Sequence, residues 1–222
     1  MHVPTGCNSL DTLLGKGIES GIITEFFGEG GSGKTNICLQ LAKNVALKNK
    51  KTVFIDTEGV SVERLEQISG EKSEKVMENT IFYKPHSFSE QEKCIKKGSR
   101  LALNKDKDFS LFIVDGFTTF YRPLYNSCKE DRISSRLGRL LIELMKVARK
   151  KDIPVVITTQ VYESDDGKKP VGGHVLYHNA KTRVLLDVLK QDLRRAILEK
   201  HRSRPKGKCT RFKITESGIV TP

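Results

Sequence analysis

The feature that most limits what this chain can become is the run Gly28-Glu29-Gly30-Gly31-Ser32-Gly33-Lys34-Thr35, which fits G-x-x-x-x-G-K-[ST] without a mismatch. Such a run needs a strand to deliver the chain to a tight turn and a helix to carry it away. The glycines let the backbone curl until its N–H groups converge on phosphate oxygens. The positive end of the following helix points at the same place. The flanks meet the demand: Ile22 to Phe27 is apolar and β-rich, and from Thr35 to Leu47 the residues Ile37, Leu41 and Val45 share one helical face. Gly28 to Thr35 are therefore expected to hold a nucleotide. Lys34 would reach the β- and γ-phosphates, and the Thr35 hydroxyl would ligate Mg²⁺.

The rest of the chain keeps the same alternation. Thr52 to Asp56, Thr80 to Tyr83, Ser110 to Val114 and Val155 to Thr159 read as strands. Ser61 to Ile68 and Ser89 to Leu103 read as helices. Ile133, Leu137, Leu140, Leu144 and Val147 mark a long amphipathic one. Arg183 to Val188, Arg194 to Leu198 and Thr210 to Ile214 look like antiparallel strands joined by short turns. The expected fold is α/β: a mostly parallel, twisted sheet with helices on both faces and a C-terminal antiparallel extension. A length of 222 residues suits one such domain, spanning 1–222. Tyr121 to Arg132, Tyr162 to Gly173 and His201 to Lys208 are expected as loops, where function concentrates.

Two more acids belong to the phosphate chemistry. Leu111-Phe112-Ile113-Val114-Asp115 is four apolar residues ending in a carboxylate, about 80 residues after the glycine loop. That puts Asp115 at the C-terminal edge of a buried strand, where α/β sheets bind ligands, as the Mg²⁺ partner acting through water. Asp56-Thr57-Glu58-Gly59 ends another buried strand in acids. Glu58 is the candidate general base, with a helix cap or a surface acid as the alternative, and Asp56 is assigned a structural role. ATP and Mg²⁺ are the cofactors these residues imply.

The net charge is +12, and nine of those excess charges fall between Lys181 and Lys213, where twelve Lys and Arg meet three acids. Clustered positive charge suggests a polyanion, with nucleic acid first. A solvated basic face is the other reading. Five scattered cysteines without a C-x-x-C pair argue against a zinc or redox motif and fit reduced thiols in a cytoplasm. His174 and His178 are four apart, with no obvious third metal ligand. No apolar run approaches a membrane span.

With these residues in place, the chain resembles the RecA-like recombinases, specifically the archaeal RadA group and its short paralogue. Ser9-Leu10-Asp11-Thr12-Leu13-Leu14-Gly15, then Gly17 to Gly21, then Ile23 to Glu29, look like that family's entry into its ATPase core. The resemblance implies that Glu58 is the catalytic glutamate. It also implies that Gln160, in Thr158-Thr159-Gln160-Val161, senses the γ-phosphate. Arg122 matches a basic residue opening the family's first DNA loop. Gly172, Gly173 and His178 resemble the end of the second, where a histidine lies near a neighbouring subunit's nucleotide. The extra N-terminal DNA-binding domain and the Phe-x-x-Ala docking segment of RadA-type proteins are not expected here.

Lys200 and Arg202, in Lys200-His201-Arg202-Ser203-Arg204-Pro205, resemble the K-x-R trans fingers of DnaB-like helicases. On a strand both would point the same way. They are either trans contacts to a neighbour's ATP, alongside His178, or part of a DNA-binding face. Candidate DNA contacts are Arg122, Tyr125, Arg132, Lys168, Lys169 and Arg204. The 162–173 loop, however, also carries Glu163, Asp165 and Asp166, a poor charge balance for DNA. Phe117, Phe120, Tyr121 and Tyr125 either stack on single-stranded bases or pack on the core. Three functions fit: a weak, DNA-modulated ATPase assisting a recombinase; a nucleotide-gated binding module without appreciable turnover; or a ring-forming ATPase of the KaiC or DnaB kind. The implied partners are DNA, single-stranded favoured, a recombinase, junction resolvase or replication polymerase, and further copies of the chain.

Overall fold

The computed structural model describes the backbone of residues 1–127, 130–164 and 167–222, and the side chains of 1–124, 133–162 and 171–222. The chain opens with β1 (His2–Val3), α1 (Asn8–Leu14) and β2 (Ile18–Glu19), β2 pairing antiparallel with β1. Then come β3 (Ile23–Gly28), α2 (Lys34–Ala46), β4 (Lys51–Asp56), α3 (Val62–Ser69), α4 (Ser73–Glu78), β5 (Thr80–Tyr83), α5 (Phe88–Leu103) and β6 (Phe109–Asp115). They are followed by α6 (Tyr121–Ser127), α7 (Glu130–Lys151), β7 (Val155–Thr159), β8 (Val161–Ser164), β9 (Gly167–Pro170) and α8 (Gly173–Asn179). The C-terminal part is β10 (Thr182–Val188), β11 (Leu193–Lys200), β12 (Cys209–Thr215) and β13 (Gly218–Val220).

Nine of these strands form one sheet in the order β13-β12-β11-β10-β3-β7-β6-β4-β5. The pairs from β10 through β5 are parallel, and those from β10 out to β13 are antiparallel. The sheet is mixed as the sequence implies, with one correction. Arg183 to Val188 does not belong wholly to the antiparallel part. It is the seam, parallel to β3 on one side and antiparallel to β11 on the other. The strands next to β3 are apolar because both faces are covered. On one face Phe26, Phe54 and Phe212 pack with Ile37 and Leu41 of α2. On the other, Phe112 and Val114 pack with Ile95 of α5 and Leu137 and Leu144 of α7.

Local chemistry sets several boundaries. Ser61 caps α3 by accepting from the Arg64 N–H, and Ser87 caps α5 by accepting from the Glu90 N–H, both at 3.2 Å. Glu90 in turn accepts from the N–H of His86, the residue before the cap, at 2.8 Å. The sequence misplaces two loops: Tyr121 begins the helix α6, and the 162–173 stretch is largely the hairpin of β8 and β9. Neither shows in periodicity, because the helix is short and the hairpin stands outside the main sheet. Cys7, Cys38, Cys94 and Cys209 are unpaired thiols. Among the described residues, no helix is long and apolar enough to cross a membrane.

Candidate functional site

The sheet order makes β3, β7, β6 and β4 neighbours. Their C-terminal ends therefore bring Gly28, Gln160, Asp115 and the Asp56–Gly59 turn to one edge, although these lie far apart in sequence. Gly28 can only be glycine, because a Cβ there would sit 2.3 Å from the Leu186 carbonyl of β10. Gly33 is in the left-handed region at φ 98° and turns the chain into α2. Added Cβ atoms at Gly30 and Gly31 would meet nothing within 4 Å, so the crest of the loop faces open space. Lys34 is buried, and its Nζ donates to the Gly28 and Glu29 carbonyls, both at 2.9 Å. Burial pulls its pKa down, against the raising pull of the nearby Glu58 and Asp115 carboxylates.

Asp115 is completely buried, and burial pushes its pKa up to about 6. The Thr158 hydroxyl, donating to Oδ1 at 2.6 Å, opposes that shift, as does the neighbouring Thr35 side chain. Among the described residues, the buried Oδ2 has no hydrogen-bond partner. An unsatisfied buried carboxylate oxygen is costly, and a cation with its water shell would satisfy it. The open crest, the lysine and this oxygen together fit a Mg²⁺-bound nucleoside triphosphate.

Glu58 and Gln160, picked out separately in the sequence, meet here. Gln160 Nε2 donates to Glu58 Oε1 at 3.0 Å, and the Thr119 hydroxyl donates to the same oxygen at 3.3 Å. Asp56 does structural work: its carboxylate accepts from the Glu58, Gly59 and Val60 N–H groups at 3.2, 2.8 and 2.7 Å. That turn aims Glu58 at Gln160. The Gln160 carbonyl also accepts from the Val171 N–H at 3.0 Å. The residue against Glu58 is thus tied to the base of the β8–β9 hairpin.

Around the hairpin lies a cavity of about 580 Å³ lined by Tyr121, Arg122, Tyr162, Val171 and His174, among others. It gathers both regions suspected of contacting DNA. Tyr121 is buried, its hydroxyl within 3.1 Å of Ser134 Oγ, and Phe117 is buried too, so these rings pack as core. Arg122 is exposed. Lys168 and Lys169 sit on β9, Tyr125 in α6 and Arg132 in α7, but their side chains lie outside the described residues.

The trans candidates lie elsewhere. Lys200 pairs across β10 with Arg183, which aligns with Glu25, three residues before Gly28. The end of β11 is therefore at the opposite edge of the sheet from this chain's own phosphate loop. Lys200 packs over the Tyr177 ring, 4.7 Å from its centre, and donates to the Tyr177 carbonyl. Arg202 lies beyond the end of β11, so strand alternation does not aim it with Lys200. It pairs with Glu19. Arg204 donates to the Thr12 carbonyl at 2.9 Å. His178 is exposed on α8 and stacks on His174, ring centres 5.8 Å apart.

Two contacts were missed. Arg194 is buried, and its Nε donates to the Gly31 carbonyl of the phosphate loop at 2.8 Å, while Nη1 holds the Lys190 carbonyl at 2.7 Å. In the sequence it is only one more cation in a basic run. Glu25 is fully buried mid-strand, accepting from Arg183 Nε at 2.5 Å and from the Thr159 hydroxyl at 2.7 Å. An acid inside an apolar strand was its available signal.

The Rad51 family model matches residues 1–222. The "DNA repair and recombination protein RadB" of Methanococcoides burtonii is 43% identical over 97% of this chain and 96% of its own length. The protein of the same name from Archaeoglobus fulgidus is 40% identical over 99% and 98%. The chain belongs to the RadB group of the Rad51 family. A solved structure described as that of the RadB recombinase superposes with a TM-score of 0.84 at 36% identity, covering 99% of both chains. This agrees with the RecA-like core that the resemblance implies.

Proposed function

We propose that this RadB-group chain is an ATP-binding, DNA-binding accessory protein of homologous recombination and repair, with a weak ATPase that DNA modulates. The observation that carries the reading is the hydrogen bond between Gln160 and Glu58 beside the buried Asp115. It joins a candidate water-activating carboxylate to a residue bonded to the hairpin base, so site and hairpin can respond to each other. Bound Mg²⁺ would neutralise phosphate charge and polarise the γ-phosphoryl group. The chain's residues would do the rest. The loop N–H groups and Lys34 hold phosphate oxygens, and Thr35 and Asp115 hold the cation and its water. Glu58 orients the attacking water. Arg122, Tyr125, Arg132, Lys168, Lys169 and Arg204 are assigned to DNA. Lys200, Arg202 and His178 are assigned to the ATP of an adjoining copy, consistent with the distance of β11's end from this chain's own loop. A recombinase, junction resolvase or replication polymerase is the protein partner.

The test is ATP hydrolysis with and without single-stranded DNA, at two protein concentrations. Wild type should turn over slowly, with a rate that DNA changes. Glu58→Gln should lose about 100-fold or more while binding ATP normally. If Glu58→Gln hydrolyses as wild type does, the chain is a nucleotide-gated binding module instead. A rate per subunit independent of concentration, in a chain that stays monomeric, removes the trans assignment.

A further inference from the structure

Outside the nucleotide site, one face leaves its positive charge unspent. Helices α5 and α7 lie side by side on the side of the sheet away from α2. They are pinned together near both ends. Arg136 donates to both oxygens of Glu92 at 3.1 and 2.7 Å, and Lys151 donates to the Asn104 and Lys107 carbonyls at 3.0 and 3.1 Å. Between the pins runs a groove of about 430 Å³, with Lys96 on one wall and Arg139 and Lys146 on the other.

The spacing turns these cations into two rows. On α5, Lys93, Lys96 and Arg100 follow i, i+3, i+7; on α7, Arg139, Lys146 and Lys150 follow i, i+7, i+11. All six are exposed. The acids at the groove are already engaged: Glu92 by Arg136, and Glu143 by Lys146 at 3.7 Å. Packed helices have their axes about 8–10 Å apart, which puts the two rows side by side. From Arg139 to Lys150 the α7 row extends about 16 Å at ~1.5 Å per residue. Duplex of that length presents about ten phosphates, one per ~1.7 Å. The upper end of the track adjoins Ser134, which lines the cavity shared with Arg122 and His174. One apolar side chain, Ile142, is exposed at the groove. Four cations against two carboxylates and a single exposed isoleucine at the groove favour a polyanion over an apolar segment.

We propose that the α5–α7 groove is a duplex-DNA track that continues from the cavity at Arg122 across the helical face. The inference rests on the DNA-binding role proposed above and adds a surface to it. The contacts go to the phosphate backbone, so the track reads no sequence.

The test compares Lys96→Glu/Arg139→Glu with the control Lys48→Glu/Lys72→Glu, which makes the same charge change at exposed sites near the other face. A labelled duplex and a labelled single strand are titrated across salt concentrations. The groove variant should lose at least about tenfold in duplex affinity and about 2 in the slope of log K against log salt. Its ATP affinity should be unchanged, and the control should track wild type. A groove variant that matches the control overturns the proposal. So does a labelled amphipathic helix of glutamates and leucines that binds wild type and not the variant while duplex binding is equal in both; that result assigns the groove to an acidic protein segment. Wild type that binds no DNA of either kind sinks the proposed function itself. Single-strand binding that persists and depends on Arg122, with duplex binding indifferent to the groove variant, sinks this inference alone.

Discussion

The chain has two basic regions, and they spend their charge differently. Between Lys181 and Lys213, where the sequence is most basic, half of the twelve cations are engaged by an acid or the phosphate loop within the fold. Arg183 is held by Glu25, Arg194 by the Gly31 carbonyl, Arg195 by Asp187 at 2.7 Å, Arg202 by Glu19, Lys206 by Glu199 at 3.1 Å and Lys213 by Asp192 at 3.5 Å. On α5 and α7 the charge per residue is lower, yet all six cations of the two rows are exposed. The difference follows from architecture. Sheet strands bring remote segments alongside, so Arg183 on β10 meets Glu25 of β3 and Arg195 on β11 meets Asp187 of β10. A helix's outer face meets mainly its own i±3 and i±4 neighbours. Charge density along a sequence therefore measures supply, and tertiary pairing decides what is left for a partner.

The comparison can be broken first at its most buried pair. Glu25→Gln leaves the Arg183 guanidinium buried without its counter-charge and should cost about 3–5 kcal/mol. For a chain of this size that lowers the melting temperature by roughly 10 °C. A melt within a degree of wild type would mean that the C-terminal cations are not structural. Arg194→Ala comes next. Losing a charge-assisted bond to the loop crest, worth about 1.5–3 kcal/mol, should weaken ATP binding by around tenfold, read by titration with a fluorescent nucleotide. The DNA salt slope should stay as it was, because this cation is not available to phosphates outside the site.

Third in size is a pH effect. With a pKa of about 6, Asp115 is mostly ionised at pH 7 and only about one-tenth ionised at pH 5. Affinity for Mg²⁺-ATP should fall about tenfold over that interval, and Asp115→Asn should bind weakly with little pH dependence. For stability the sign is opposite. The folded pKa lies above the ~3.9 of a free Asp, so the fold takes up this proton more readily than the unfolded chain does. Its contribution is fully present below about pH 4 and is lost as pH rises through about 6. The smallest effect belongs to Arg195→Ala. The Arg195–Asp187 pair is partly exposed, so its loss should change stability by less than about 1 kcal/mol in chemical denaturation. A larger loss would place Arg195 with the buried cations.

Most of the candidate nucleotide site was legible because it is written in local grammar. A strand, a glycine turn and a helix are contiguous, so Gly28 to Thr35 could be assigned from spacing alone. Glu58 and Asp115 were legible as acids at the ends of apolar runs, since side-chain burial leaves that mark on a strand. The partners of these groups were not. Thr158 against Asp115, and Gln160 against Glu58, depend on β7 lying between β3 and β6, which no run of residues announces. Arg194 shows the same limit: its register opposite Val188, beyond the pairing of Leu186 with Gly28, is what brings it to the loop.

The sequence by itself determined that a phosphate loop would form between a buried strand and a helix, and that a parallel sheet would carry it. Those outcomes rest on backbone conformation and periodic burial, both local properties. Only the tertiary structure decided which charges remain free. Arg183 and Arg194 of the basic C-terminal run are buried against Glu25 and the Gly31 carbonyl, while the cations of the α5–α7 rows stay exposed, because burial and pairing depend on which distant strands become neighbours.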